Sequence, residues 1–176
     1  MVKTVGNARD RQDSRVTITD ANMRKMRGWF ASGVTVVTTA LDGHLHGVTV
    51  SAFTAVSLDP PLVLVSLADE TTSRDMIAAS GLFAVSILSE EQEFLSERFA
   101  ARAPLVNDDF EGVPYHVETT GAPILEGSLA WYDCRVVVTH DGGDHTLFLG
   151  QVESIGFDDS RKPLLYFANR NVRFGS

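Results

Sequence analysis

The sequence predicts a mainly β fold, an antiparallel barrel with a few flanking helices, on three observations. Strand-like stretches outnumber helical ones, hairpin-type turns separate neighbouring stretches, and no regular βα alternation signals a doubly wound parallel sheet. A chain of 176 residues with 44% hydrophobic content has room for one sizeable core, so a single domain over residues 15–176 is expected. Residues 1–14, polar and without an apolar signal-peptide core, read as a disordered tail.

The elements follow in order. Asp20 is placed to cap a helix whose apolar residues Met23, Met26 and Phe30 recur three and four positions apart, and Gly33 is placed to close it in a left-handed turn. Residues 34–39 are almost wholly β-branched. The run Leu41-Asp42-Gly43-His44 supplies a turn, and residues 46–56 resume strand-like alternation, which makes a hairpin. Pro60-Pro61 interrupts the sheet and residues 62–67 read as a continuous buried strand. Thr71-Thr72-Ser73 then offers hydroxyl caps for a short helix to Ala79, with Gly81 beyond it. After a strand at 83–88, Ser89-Glu90-Glu91-Gln92 has the form of a capping box for a helix through Phe99, with Phe94, Leu95 and Phe99 inward. Residues 100–123, rich in proline and glycine, read as a long irregular excursion. Residues 129–140, a turn at 141–144, residues 145–155 and residues 164–167 complete the set as paired strands.

Composition narrows the function. Fifteen Lys and Arg against 23 Asp and Glu give a formal charge of −8, and no basic stripe tracks phosphates, so no nucleic-acid partner is expected. No stretch approaches the roughly 20 apolar residues of a membrane span, and a cytoplasmic location is expected. The single cysteine, Cys134, excludes an intramolecular disulfide and a multi-cysteine zinc site, and reads as a half-buried thiol in a strand. His140 and His145, five apart on a hairpin with no supporting ligands, do not suggest a metal; His44 and His116 read as surface residues.

Without a metal set or a cysteine pair, redox chemistry needs a borrowed cofactor. The G-x-G-x-x-G fingerprint is absent, and Gly142-Gly143 lies in a hairpin turn. Between residues 46 and 61, small and hydroxylated residues alternate with apolar ones. Such a strand either offers hydroxyls and backbone N–H groups to the edge of a flat heterocycle or is a half-exposed barrel strand. Ser66, Thr72, Ser73 and Arg74 likewise form either a phosphate site at a helix start or an ordinary capped helix.

Five segments in order carry a family resemblance: Phe30-Ala31-Ser32-Gly33-Val34-Thr35-Val36-Val37-Thr38, residues 47–61, Ser80-Gly81-Leu82-Phe83-Ala84-Val85, Gly142-Gly143-Asp144-His145 and Pro163-Leu164-Leu165-Tyr166-Phe167. Together they resemble the flavin reductase-like family, the short-chain reductases of two-component flavin-dependent monooxygenases of the 4-hydroxyphenylacetate hydroxylase type. The resemblance implies an FMN-binding split β-barrel, antiparallel and Greek-key-like, usually a homodimer. It implies non-covalent FMN or FAD, reduction by NADH or NADPH through direct hydride transfer to flavin N5, and delivery of reduced flavin to a separate monooxygenase. Carried over by motif, Thr49, Val50, Ser51 and Ala52 line the isoalloxazine, Thr35, Val36, Val37 and Thr38 join the cofactor-binding set, and Ala68 extends the Ser66 to Arg74 phosphate region. His145 of Gly-Asp-His lies near the nicotinamide as a positioning group; independently of the motif, Tyr166, Arg170 and Arg173 are placed to border the nucleotide, since aromatic and guanidinium groups stack on or pair with dinucleotides. A different class of protein fits the same barrel: a non-catalytic flavin carrier or sensor. Related barrels also oxidise pyridoxamine phosphate, but Gly-Asp-His and Asp-Pro-Pro resemble the reductase branch.

Overall fold

The computed structural model describes residues 15–100 and 110–175; the expected tail at 1–14 and part of the expected excursion at 100–123 lie outside the described residues. Helix α1 (Asp20–Arg27) is capped by Thr19, whose Oγ1 accepts from the Asn22 amide at 3.2 Å, and it ends at Gly28 with an ordinary helical φ of −66°. Thr19 therefore takes the capping role expected of Asp20, because its extended backbone aims the hydroxyl at the first free N–H groups. Gly33, expected to close the helix, instead belongs to strand β1 (Ser32–Gly33). No residue of α1 is buried, and Met23 and Met26 are 59% and 56% exposed.

Strands β2 (Thr35–Leu41) and β3 (His44–Val50) form the first hairpin, with Asp42 and Gly43 at φ 51° and 80° in its two-residue turn. The strand expected over 46–56 breaks at Ser51 and Ala52, and β4 (Phe53–Leu58) then pairs with β5 (Pro61–Ala68) rather than continuing along β2. Helix α2 (Thr72–Ser80) starts at a Thr71 cap and ends at Gly81 with φ 70°. After β6 (Leu82–Ile87), the capping box forms between Ser89 and Gln92, and a short 3-10 turn leads into α3 (Glu93–Phe99). Leu95 and Phe99 are buried there, whereas Phe94, expected inward, is 63% exposed. The residues read as irregular include β7 (Tyr115–Val117), which pairs with β8 (Pro123–Leu125). The long hairpin β9 (Ala130–Asp141) and β10 (His145–Phe157) precedes β11 (Leu164–Phe167), and a strand not anticipated, β12 (Arg170–Arg173), closes the fold.

One antiparallel sheet runs β3-β2-β6-β9-β10-β5-β4. Seven strands laid flat would separate the edge strands by about 29 Å. Those edges, β3 and β4, are joined by only Ser51 and Ala52, which reach about 10 Å. The sheet must therefore curl until its edges meet at this link, where the Ser66 amide donates to the Ala52 carbonyl at 3.0 Å. Val37, Val65, Phe83 and Phe148 belong to one buried cluster, while Val36, Leu95, Phe99 and Leu164 belong to a second that includes α3. Because alternate residues of β2 point to opposite faces, β2 contributes to both clusters and is buried throughout Thr35 to Thr39.

Candidate functional site

Two clefts meet at Arg27. The smaller, about 140 Å³, is lined by Thr49, Val50 and Ser51 at the end of β3, Tyr166 of β11, Asn171 of β12 and Ser96 of α3, among others. The larger, about 1010 Å³, is lined by one side of α1 and by Ala68, Asp69, Glu70, Asp144 and His145. The ordinary ligand-pocket range of about 300–1,000 Å³ compares with the larger cleft, and Arg27 lines both.

The strand end at the smaller cleft is pinned from two sides. Thr49 Oγ1 donates to the Ser96 carbonyl at 2.6 Å, and Thr35 Oγ1 donates to the Val50 carbonyl at 2.7 Å. Pinning fixes the backbone where it leaves β3 and leaves Ser51 exposed at the crossing to β4. Asn171 Nδ2 donates to Ser96 Oγ at 3.5 Å, which ties β12 to the same helix. The β11–β12 turn, Ala168 and Asn169 at φ 51° and 62°, donates the Ala168 amide to the Gly28 carbonyl at 2.7 Å and so holds the end of α1 and Arg27 in place.

At the larger cleft, the β9–β10 turn is locked by the Gly142 amide donating to the His145 carbonyl at 2.8 Å, and the Asp69 amide donates to the Asp144 carbonyl at 3.1 Å. His145 Nδ1 lies 2.6 Å from Asp144 Oδ1. The hydrogen bond from His145, then its charge, holds the Asp144 carboxyl below its ordinary value. With Nδ1 engaged, Nε2 is the ring nitrogen left for a ligand.

The sequence-derived site residues separate into three groups. Thr49, Val50, Ser51 and Tyr166 come together in the smaller cleft, and Ala68 and His145 in the larger. Thr35, Val36, Val37 and Thr38 do not reach either. All four are buried in β2, which has a neighbour on each side and packing on each face, and the Thr38 hydroxyl is satisfied by the Ala84 and Pro123 carbonyls. Ala52 serves through its carbonyl to Ser66, itself in register with Leu147 of β10. Arg173 is exposed and lies 3.9 Å from the Glu93 carboxylate, outside both clefts.

The start of α2 fits an anion in one respect. Ser73 Oγ is buried without a hydrogen-bond partner in the first helical turn, where backbone N–H groups are unsatisfied and the dipole favours negative charge. Thr72 beside it is exposed. Arg74 is already committed: Nε donates to Thr146 Oγ1 at 3.2 Å and a terminal nitrogen donates to Asp75 at 2.7 Å, while Thr146 donates to Asp69 at 2.6 Å. Arg74 therefore ties α2 to β10.

Arg27, Ser96 and Asn171 are site residues that the sequence reading missed. For Arg27 the available signal was the helical stripe containing Met23 and Met26, whose spacing predicts a helix and which lines the larger cleft. Cys134 is buried, and burial, with Asp133 and Glu153 adding to it, pushes its thiol far above the ordinary range, so it is no nucleophile. Among the described residues no group of three or more His, Cys, Asp or Glu is placed to hold a metal, and no helix is long and apolar enough to cross a membrane.

A family model described as "Flavin reductase like domain" matches residues 26–175, a span that holds β1 to β12 and most lining residues of both clefts. The chain belongs to this flavin reductase-like family. Among its relatives is an NADH-dependent flavin reductase of Rhodococcus sp, 43% identical over 85% of this chain and 84% of that protein. Another is the reductase subunit HsaB of a flavin-dependent monooxygenase of Mycobacterium tuberculosis, 42% identical over 82% of this chain and 76% of that protein. The solved structure of flavin reductase PheA2 superposes with a TM-score of 0.83 at 39% identity, covering 90% of this chain and all of that one. The mainly β fold with its curled antiparallel sheet is the architecture shared with these flavin reductases.

Proposed function

We propose that this chain is an NAD(P)H:flavin oxidoreductase that reduces FMN or FAD with NADH or NADPH and supplies the reduced flavin to a separate monooxygenase. The observation that carries the reading is the meeting of two clefts at Arg27, one built from the β3 end and Tyr166, the other carrying His145. Two flat ligands lying in clefts that share Arg27 as a common wall are held near one another beside that side chain. The flavin supplies the hydride-accepting ring, and the protein's task is to bind, orient and keep the two rings together.

Thr49, Val50 and Ser51 present one hydroxyl edge and a fixed backbone to the flavin ring, and Tyr166 offers a ring wall across from them. Backbone donors at such an edge favour the charge that develops on the pyrimidine side during reduction. The orphaned Ser73 hydroxyl and the exposed Thr72 at the start of α2 suit a flavin or dinucleotide phosphate. His145, steadied through Nδ1 by Asp144, positions the nicotinamide and is not an obligatory acid or base. Exposed apolar side chains on the edge strand β4, Val56 and Leu58, and at the end of β10, Ile155 and Phe157, support a homodimer, which sedimentation of the purified protein tests.

Steady-state oxidation of NADH and NADPH, each with FMN, FAD and riboflavin, tests the reading. The expected result is oxidation that depends on added flavin. Tight flavin binding with no turnover in any combination would instead assign the non-catalytic carrier.

A further inference from the structure

Helix α1 is an amphipathic helix with no core. Asp20, Met23, Arg24 and Arg27 fall at i, i+3, i+4 and i+7, so they share one face, and that face lines the larger cleft together with Met26. None of the helix's residues is buried, so packing of the domain core does not explain its apolar positions. No hydrogen bond or ion pair holds Arg24 or Arg27 among the described residues, and Arg27 acts on the Asp144 carboxylate through charge alone, unlike Arg74, which is committed to Asp75 and Thr146. The remaining lining is Ala68, the acidic Asp69, Glu70 and Asp144, and His145, so the guanidinium charge that an anionic ligand meets in this cleft is that of α1. The joint at Gly28 fixes where those two guanidinium groups start.

We infer that α1 is a dinucleotide-binding helix whose Arg24 and Arg27 hold the diphosphate of the reduced dinucleotide, while Met23 and Met26 cover its apolar rings. A guanidinium matches phosphate oxygens in pairs, and the thioether side chains adapt to a flat apolar surface. Arg27 lines both clefts, so the diphosphate held there places the nicotinamide between His145 and the flavin. The inference rests on the reductase reading above and adds to it the residues that select a phosphate-bearing donor.

The test compares two hydride donors under saturating FMN: NADH, and N-benzyl-1,4-dihydronicotinamide, which carries no phosphate. In the full chain with Arg24→Ala and Arg27→Ala together, the ratio of kcat/KM for NADH to that for the benzyl donor is expected to fall about tenfold or more, the usual loss for charge-assisted hydrogen bonds. Arg24→Ala alone should lower the ratio less, and the paired Lys variant should recover part of it, because charge remains while bidentate geometry is lost. A variant that is merely misfolded loses both donors equally and leaves the ratio near that of the parent. In that event the folded paired Lys variant decides: its ratio must fall more than about twofold below that of the parent. A ratio within about twofold of the parent in every folded variant overturns the inference while the reductase reading stands. An unchanged ratio accompanied by loss of self-association in sedimentation also overturns it, and assigns the face to a second copy of the chain. If the parent protein oxidises neither donor, the reductase reading falls and this inference falls with it.

Discussion

At His145 the imidazole is held by its neighbour, with Nδ1 2.6 Å from Asp144, so its contribution is one of position. His145→Ala is expected to raise the KM for NADH about tenfold, a typical cost for losing one ligand contact, while flavin binding measured by fluorescence titration stays near that of the parent. Parent-like NADH kinetics would remove the role. Asp144 supplies a pH test with a definite sign. Its folded value lies below 3.8, so what the pair contributes is complete above 3.8 and is lost as pH falls through the lowered folded value. The thermal midpoint of the parent should therefore drop more steeply than that of Asp144→Asn over that acidic range; parallel curves would show that the bond does not form in solution. Residues of this kind were legible in the sequence where a short motif carries them, as Gly-Asp-His does for His145 and the 47–61 segment does for Thr49 and Ser51. The burial of Thr35 to Thr38 was not legible, because a β-branched run announces a strand and says nothing about burial on both faces, which depends on the elements packed against β2 from elsewhere in the chain.

Among the elements, β10 is the most tightly fitted. A Cβ on Gly150 would stand 2.4 Å from the ring of Phe83, a fully buried side chain of β6, at a register shift in the β9–β10 pairing. Gly150→Ala is accordingly expected to cost about 1–3 kcal/mol of stability, read as a lower midpoint in urea; an unchanged midpoint would mean that Phe83 has room to move. The elements with strong local chemistry were readable: the Asp42-Gly43 turn, the Thr71 cap with Gly81 beyond α2, and the reciprocal Ser89–Gln92 box. Others carried no such signal. Ala168 and Asn169 turn the β11–β12 hairpin with positive φ and no glycine, so β12 and its cleft residue Asn171 were invisible. Helix α1 was legible from its spacing, but what its apolar face meets was not, because periodicity reports that a face is apolar and not what it faces.

For the molecule as a whole, curling of one seven-stranded sheet brings its two edges together at Ser51 and Ala52 beside the smaller cleft, while α1, through Arg27, borders both clefts. That closure was not derivable from alternation alone, since the pairing of β5 with β10 spans some eighty residues of chain and only the family resemblance implied it. If the two clefts hold a reduced dinucleotide against a bound flavin, hydride passes between them within one turnover. Anaerobic stopped-flow mixing of the flavin-loaded protein with NADH reads this by following the oxidised flavin absorbance in a single turnover. Complete bleaching is expected, far faster than with free flavin and NADH alone. An absorbance that stays at the oxidised level, with the flavin still bound, would contradict it.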